Sequence, residues 1–292
     1  LPISFHLNHV YYNIEYLGTN YNRPPFPWHY VFVTTALTVP VVTLALSLYG
    51  AALLLRRSRS TPPAQAAQTS APGLLLALGA LWPMLLIARP GTPIFGAEKH
   101  WLPSMPFLAL LAGVGLWALA QRTRAALDLS ARGALALQAA VLALALAPPL
   151  LEVRRSHPYG LSHYNALAGG PAGAADLGMN RQFWGYSVRG LFPTIDRTAP
   201  PWAPIYWHDA NWFQLQMSMK DHLLRRDLGD TGLEEPGVRA SDLALVIHEK
   251  HFNKYEYWIW DAFNRTRPDA VLTHEGVPLV TLYRRPAPGT SD

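Results

Sequence analysis

The sequence predicts an α-helical bundle that crosses a membrane four times, followed by a small α/β domain outside the cytoplasm. Four long runs without charged side chains occupy the first half, and strand-like and helix-like segments alternate in the second. Residues 1–151 hold nine Lys/Arg against three acidic residues, whereas residues 152–292 hold 15 against 16. A basic surplus confined to the apolar half favours a membrane as partner over nucleic acid.

The four charge-free runs are the predicted spans. A helix needs about 20 apolar residues to cross a bilayer core, and these runs are apolar on all sides. Four core helices of a large soluble protein are the alternative, but such helices carry a polar face. The approximate bounds of the spans are 29–55, 73–88, 102–121 and 133–151.

Arginine in the short loops predicts the orientation of the bundle. Loops 56–72 and 122–132 carry three arginines each and are expected in the cytoplasm, whereas loop 89–100 and segment 1–28 are expected outside. Four crossings then leave 152–292 outside as well. Within the first loop, the Pro/Ala/Gln-rich stretch 61–72 is predicted to be a linker without chemistry.

The second half predicts the element order β-α-β-α-β-β, which favours a small α/β layer with one antiparallel edge. The absence of cysteine excludes disulfides and thiolate metal sites. His248 and His251 are three residues apart but straddle a strand end and a helix start, so we assign no metal site to them. The expected strands are 204–209, 242–248, 270–275 and 278–285, and the expected helices are 211–227 and 251–266.

The loop between the second and third spans carries Arg89, Lys99 and His100. Two interpretations stay open for them. They anchor helix ends at the membrane surface, or they form a cationic pocket for a lipid phosphate or pyrophosphate headgroup, which Arg and Lys bind by charge-assisted hydrogen bonds. The aromatic stretch 11–30, which includes Trp28, has the composition of a membrane-interface belt.

The layout resembles the C-terminal part of GT-C polyprenol-phosphate-sugar glycosyltransferases, and in particular bacterial relatives of protein O-mannosyltransferases and of the lipid A aminoarabinose transferase. The stretches that carry the resemblance are 16–30 ending in PFPWHY, GAEKHWLPSMPF at 96–107, HPYGLSHYNALAGG at 157–170 with the following GAADLGMNRQFWG, and GVPLVTLYRR.

The resemblance implies an enzyme of a bacterial inner (plasma) membrane. Its partners would be membrane lipids and a polyprenyl-phosphate-sugar lipid, whose sugar passes to an acceptor at the outer face with inversion. Arg89, Lys99 and His100 would hold the donor phosphate. The family's catalytic aspartate lies in the first outer loop, and no residue here matches that motif. We therefore expect a C-terminal fragment and assign no catalytic residue.

The resemblance indicates no resident cofactor, and a divalent cation stays an open question. In stretch 157–170, Pro158 is expected to end the last span, and the rings of Tyr159 and Tyr164 to lie at headgroup depth. Together with Asn165 and Trp28 they form a predicted membrane-interface loop. The alternative function is a polytopic transporter or a non-enzymatic membrane scaffold with an outer domain. A transporter is expected to show ionisable groups within its spans, and these four runs show none.

Overall fold

The structure is a computed structural model that describes residues 13–60, 63–94, 96–127, 129–249 and 252–287. The described chain divides into two units. The first is helical and comprises residues 21–170, and the second comprises residues 13–20 and 171–287 and contains the sheet. Residues 1–12 of the predicted outer segment 1–28 therefore lie outside the described residues.

Apolar helices build the first unit. Among the described residues, Leu102–Ala126 and Ala131–Ser156 are long and apolar enough to cross a membrane, and a bent pair of helices makes a third span if it counts as one. Four spans and their orientation stay predictions. The helices are α1 (Tyr30–Thr38), α2 (Val41–Ser60), α3 (Pro63–Ile87), α4 (Met105–Ala126) and α5 (Ala131–Ser156).

The predicted first span, 29–55, is not one continuous helix. Helices α1 and α2 meet at a bend of 119°. The cause is Pro40, which has no N–H to donate to the helix and disfavours helical backbone at the residue before it. Val39 accordingly has an extended backbone with ψ of 137°.

The predicted linker 61–72 is helical from Pro63 onward, because α3 begins there and continues through Pro72 to Ile87. Residues 61–62 lie outside the described residues. Proline is tolerated at the first position of a helix, and the following Ala/Gln-rich sequence has high helix propensity. The apolar part of α3, Ala71–Ile87, is shorter than a full span.

Helices α2 and α4 approach each other through glycine. A Cβ atom placed on Gly50 would lie 2.0 Å from the carbonyl oxygen of Leu111, and one on Gly115 would lie 2.2 Å from that of Leu46. Side chains are therefore excluded at both positions, and the two backbones touch. Small residues at such contacts are typical of helix packing in membranes.

The second unit contains a five-stranded sheet with strand order β4-β3-β5-β7-β6. Strands β3, β4 and β5 are parallel, and β7 runs antiparallel to β5 and β6. A separate pair, β1 (Ile14–Tyr16) and β2 (Thr19–Tyr21), precedes it in the chain. The sheet strands are β3 (Pro204–Tyr206), β4 (Gly229–Asp230), β5 (Leu243–Ile247), β6 (Ala270–His274) and β7 (Val277–Arg284).

The predicted order of strands and helices is confirmed, with one insertion. Helices α6 (Gly170–Asp176) and α7 (Phe192–Thr198) precede β3, α8 (Trp212–Lys220) follows it, and α10 (Asn253–Phe263) follows β5. The insertion is β4 with α9 (Glu235–Ala240), between α8 and β5. β4 is only two residues long, which is too short for a periodicity signal.

The core of the second unit is built around β5. All five residues of β5 are buried, and Ile205 of β3 is fully buried beside them. Ile259 and Phe263 of α10 form one buried cluster with Tyr206, Val238, Ala244, Val246 and Tyr283, so the aromatic helix predicted at 251–266 covers the sheet through its apolar face.

Candidate functional site

The first unit contains an apolar groove with a volume of about 550 Å³. Its two hydroxyl-bearing residues are Thr35 and Ser47, and both hydroxyls donate to carbonyls of their own helices at 2.7 Å. The groove therefore offers almost no hydrogen-bonding surface and suits a hydrocarbon chain. Its lining comes from α1 to α4 and one loop residue, and includes Phe32, Ala36, Leu48, Ala51, Ala77, Leu81, Met84, Leu111 and Leu167.

Trp101 fixes the loop beside this groove. Its ring is fully buried, its Nε1 donates to Thr35 Oγ1 at 2.9 Å, and it packs edge-on against Tyr30 with ring centroids 6.1 Å apart. Because Thr35 lines the groove, this bond holds the preceding 3-10 turn, Ala97–His100, beside the groove. In the sequence, Trp101 is part of the stretch 96–107 that carries the resemblance, without a role of its own.

The three predicted phosphate-binding residues occupy the two ends of loop 89–100. Arg89 is exposed in the turn just after α3, whose residue Met84 lines the groove. Lys99 is exposed and His100 half-buried on the 3-10 turn before Trp101. The protein around Lys99 lowers the pKa of its ammonium by desolvation. Their phosphate-binding role stays a prediction.

Glu98 is a half-buried acid that the sequence did not single out as a site residue. Desolvation by burial raises the pKa of its carboxyl, while a hydrogen bond with Thr38 and the electrostatic effect of His163 lower it. The Thr38 hydroxyl already donates to the Thr34 carbonyl at 2.8 Å. A hydroxyl has one proton, so a protonated Glu98 can donate to Thr38 whereas an ionised Glu98 competes for that proton.

Asn165 caps the broken helix. Its Nδ2 donates to the carbonyls of Ala36 and Val39 at 2.8 and 2.6 Å, and its backbone N–H donates to that of Leu37 at 2.7 Å. The carbonyls at the end of α1 have no partner within the helix, so Asn165 supplies the missing donors. Its Oδ1 accepts from the Leu167 N–H at 2.9 Å. We predicted Asn165 as part of a membrane-interface loop, whereas its side chain is 1% exposed and bound to protein.

The other members of the predicted interface loop differ in exposure. Trp28 is 62% exposed, and Tyr159 is half-buried. Tyr164 is buried in protein. The membrane-interface role of these residues stays a prediction. The prediction that Pro158 ends the helix is confirmed, since α5 ends at Ser156 and His157 is extended.

In the second unit, polar residues gather at the carboxyl ends of β3 and β5. Trp207, His208 and Asp209 follow β3, and His248 and Glu249 follow β5. The strands are parallel, so these residues share one edge. The chain leaves β3 toward β4 on one side and leaves β5 toward β6 and β7 on the other. Such a switch point is where open α/β sheets bind ligands.

His208 connects the two strand ends. Its Nδ1 accepts the Ile247 N–H at 2.8 Å, which places the proton of a neutral ring on Nε2. The ring packs against those of Phe252 and Tyr255, with centroids 4.4 and 4.8 Å away. His208 is also one of the few non-glycine residues with left-handed backbone, at φ of 56°. Such conformations persist where surrounding contacts determine them and are frequent at functional sites.

A polar pocket of about 490 Å³ lies on the Glu249 side of this edge. Burial, together with the negative charges of Asp209 and Glu15, raises the pKa of Glu249 to about 8. Burial also lowers the pKa of His248. The Glu249 carboxyl therefore keeps its proton near neutral pH. Its polar lining is Glu15, Asp176, Arg181, His248, Glu249 and Asn253.

An aromatic cleft of about 410 Å³ lies on the Asp209 side. Trp184 is 46% exposed and Phe213 74% exposed. Although Asp209 reaches solvent, the protein around it raises the pKa of its carboxyl by desolvation. No periodic pattern in the sequence marks this cleft, because its residues come from separate loops, the end of β4 and the start of α8.

Within the described residues, no group of three His, Asp or Glu side chains is placed to hold a metal ion. His251 lies outside them, so the pair with His248 is not described. Comparison of the chain with protein-family models, with curated proteins and with solved structures found no match.

Proposed function

We propose that the chain is the C-terminal portion of an integral membrane glycosyltransferase. It would bind a polyprenyl-phosphate sugar and transfer the sugar to an acceptor at the outer face of the membrane. In this proposal the first unit crosses the membrane four times and the second unit lies outside the cytoplasm. The proposal starts from the resemblance of four sequence stretches to GT-C glycosyltransferases. The helical, apolar character of the first unit supports a membrane location.

The observation that carries the proposal is the apolar groove, with cationic residues close in the chain to residues that line it or bind its lining. The groove follows α2 from Val41 to Leu55, about 20 Å at the rise of an α-helix, which matches several isoprene units. Arg89 follows the lining residue Met84 by five positions, and Lys99 precedes by two positions Trp101, which donates to the lining residue Thr35. A lipid with an apolar tail and a phosphate headgroup has this distribution of polarity.

In this proposal the chain's own residues bind and orient the donor. Arg89 and Lys99 would pair with the phosphate and stabilise the negative charge that grows on it as the sugar leaves. His100 would donate a further hydrogen bond, from either a neutral or a charged ring. The base that deprotonates the acceptor hydroxyl would come from the aspartate motif that this sequence does not contain.

The test is sugar transfer by the full-length protein from a radiolabelled polyprenyl-phosphate hexose or pentose. If Arg89 and Lys99 bind phosphate, Arg89→Gln or Lys99→Gln should weaken apparent donor affinity about ten- to a hundredfold. Arg124→Gln, at an exposed arginine near the end of α4, is the control and should have no effect. Normal donor affinity in both variants would remove the phosphate assignment, and absence of transfer from all donors would remove the function.

A transporter is the second candidate, and two observations favour it. The helix is broken at Pro40, and Glu98, a half-buried acid with a raised pKa, contacts Thr38 beside the break. Broken helices and buried carboxyls are both features of ion-coupled transporters. The test is proton-coupled uptake by proteoliposomes that contain the protein. Uptake that Glu98→Gln abolishes, together with no sugar transfer by the wild type, would favour the transporter.

A further inference from the structure

We infer that the aromatic cleft at the carboxyl end of β3 is a saccharide-binding site. The inference goes beyond the proposed glycosyltransferase function and does not depend on it, because it rests only on residues of the second unit. The cleft has a volume of about 410 Å³. That volume is large enough for one or two sugar rings. The residues that carry the argument are Trp184, Asp209, Asn211, Trp212, Phe213 and Asp230.

The aromatic rings provide flat apolar surface that the fold leaves uncovered. Trp184 and Phe213 are 46% and 74% exposed, although each ring could contribute a large hydrophobic area to a core. The backbone of Trp184 is left-handed, with φ of 58°, so the chain accepts a strained conformation at this ring. The C–H face of a sugar ring is a flat apolar surface that stacks on such rings.

Polar groups of matched type surround the rings. Asp209 and Asp230 supply carboxylate oxygens that accept hydrogen bonds from hydroxyl groups. Asn211 uses its Oδ1 to cap α8, accepting from the Phe213 N–H at 2.9 Å, so its amide nitrogen is the group that can donate to a ligand. A saccharide has both the hydroxyl protons and the hydroxyl oxygens that this set requires.

Charge distinguishes a saccharide from other ligands. Two carboxylates line the cleft and its described lining contains no Lys or Arg, so phosphorylated or sulfated ligands and anionic lipid headgroups are repelled. A basic peptide would pair with the carboxylates. A sugar also accepts a hydrogen bond from the Asn211 amide and stacks on the aromatic rings, so it matches more of the cleft. We therefore commit to a neutral saccharide.

The position of the cleft supports ligand binding independently of its composition. Trp207 and Asp209 follow β3, and Asp230 ends β4, so the cleft lies outside the carboxyl ends of two parallel strands. This is the location at which open α/β sheets bind their ligands. Gly185 follows Trp184 in the chain, and a Cβ atom there would lie 2.6 Å from Ile247 Cδ1, so the loop that carries Trp184 packs directly on the sheet.

The experiment uses full-length protein in detergent micelles, labelled with 5-fluorotryptophan and observed by ¹⁹F NMR. The probes are the methyl glycosides of glucose, mannose and galactose, with maltose and N,N′-diacetylchitobiose, each up to millimolar concentration. The Trp184 signal, assigned from Trp184→Phe, should shift with at least one probe, and Trp202 should not. Trp184→Ala should weaken binding of that probe by about tenfold or more, and Asp209→Asn by about fivefold.

Trp202→Ala is the matched control. Trp202 is another exposed tryptophan of the second unit with left-handed backbone, at 78% exposure and φ of 59°, and it does not line the cleft. Its replacement should leave affinity unchanged. Trp184→Phe keeps a ring and should retain affinity within about threefold, which separates loss of stacking from loss of folding.

Three results would overturn the inference. The first is a Trp184 signal that no probe shifts, and the second is probe binding that Trp184→Ala and Asp209→Asn leave intact. The third is a Trp184 signal that responds only to a tri-arginine peptide or to nanodiscs enriched in phosphatidylglycerol, which would identify a peptide or a lipid surface as the ligand.

Discussion

The two units differ in where they keep their apolar side chains. In the helical unit, Leu48 and Leu144 are each 73% exposed, whereas in the sheet unit Ile205 and Leu245 are fully buried. The helical unit leaves large apolar side chains on its surface and brings α2 and α4 together through backbone contacts, as helices in membranes do, whereas the sheet unit removes its apolar surface from water. The two units of one chain thus treat apolar surface in opposite ways.

The largest expected effect tests the backbone contact of the helical unit. Gly115→Ala places a methyl group 2.2 Å from the Leu46 carbonyl oxygen, so α2 and α4 must separate. We expect destabilisation of about 3 kcal/mol, measured as a loss of thermal stability in detergent. Gly113→Ala in the same helix is the control, since nothing lies within 4 Å of its added methyl group. Equal effects of the two substitutions would contradict the close contact.

The cap at the broken helix gives the next effect. Asn165→Ala removes the Nδ2 donor from the carbonyls of Ala36 and Val39, and we expect a loss of about 2 kcal/mol. Asn165→Asp keeps the oxygen that accepts the Leu167 N–H but replaces the donor with an acceptor. It should therefore be at least as damaging as alanine in thermal unfolding. A harmless Asp variant would show that the cap does not stabilise the bend.

The sheet unit should lose stability as the pH rises. Burial and negative neighbours raise the pKa of Glu249 to about 8, above its ordinary value of 4.5, so folding favours the protonated carboxyl. This contribution is fully present below about pH 4.5 and is lost as the pH rises through 8. Glu249→Gln should abolish the dependence and stabilise the unit at pH 9 by roughly 1–2 kcal/mol, after allowance for solvent in the pocket.

Thermal unfolding followed by tryptophan fluorescence at pH 5.5 and pH 9 measures this effect in the full-length protein. Asp221→Asn, at an exposed carboxylate that does not line the pocket, is the control and should keep the wild-type dependence. A Glu249→Gln variant that is less stable than the wild type at pH 9 would mean that Glu249 folds in its ionised form.

The smallest expected effect tests whether the groove of the helical unit binds the apolar tail of a lipid. Ala77→Phe adds a ring to a residue that lines the groove, so a long polyprenyl tail should bind about three- to tenfold less tightly. A donor with a short isoprenoid tail is the control substrate and should be unaffected. A uniform loss with both donors would show that the substitution damages the unit and not the tail site.

Sequence patterns predicted what depends on long periodic segments. The charge-free runs located the apolar helices, and the alternation of strand and helix signals located β3, β5, β6 and β7. The charge-free run alone predicted one continuous span over 29–55, although Pro40 within it is a signal for the observed break. Strand β4 and α9 were missed because short elements carry no period.

The sites were less predictable because they depend on contacts between distant residues. Nothing local to Asn165 shows that it bonds carbonyls 126 and 129 residues earlier. The raised pKa of Glu249 depends on Asp209 and Glu15, which reach it only through the fold. Trp184 appears in the sequence as one of ten tryptophans, and its exposure follows from the loop that carries it.

The distance along the chain between Asn165 and the bend has a consequence for biosynthesis. A ribosome releases the residues of α1 well before residue 165, at about 5–20 residues per second, so the carbonyls at the end of α1 spend several seconds without their final donor. During that interval water or the insertion machinery must bind them, and the direction of α1 is not yet fixed. The bend between α1 and α2 is therefore completed late, after the intervening helices α2 to α5 have been synthesised.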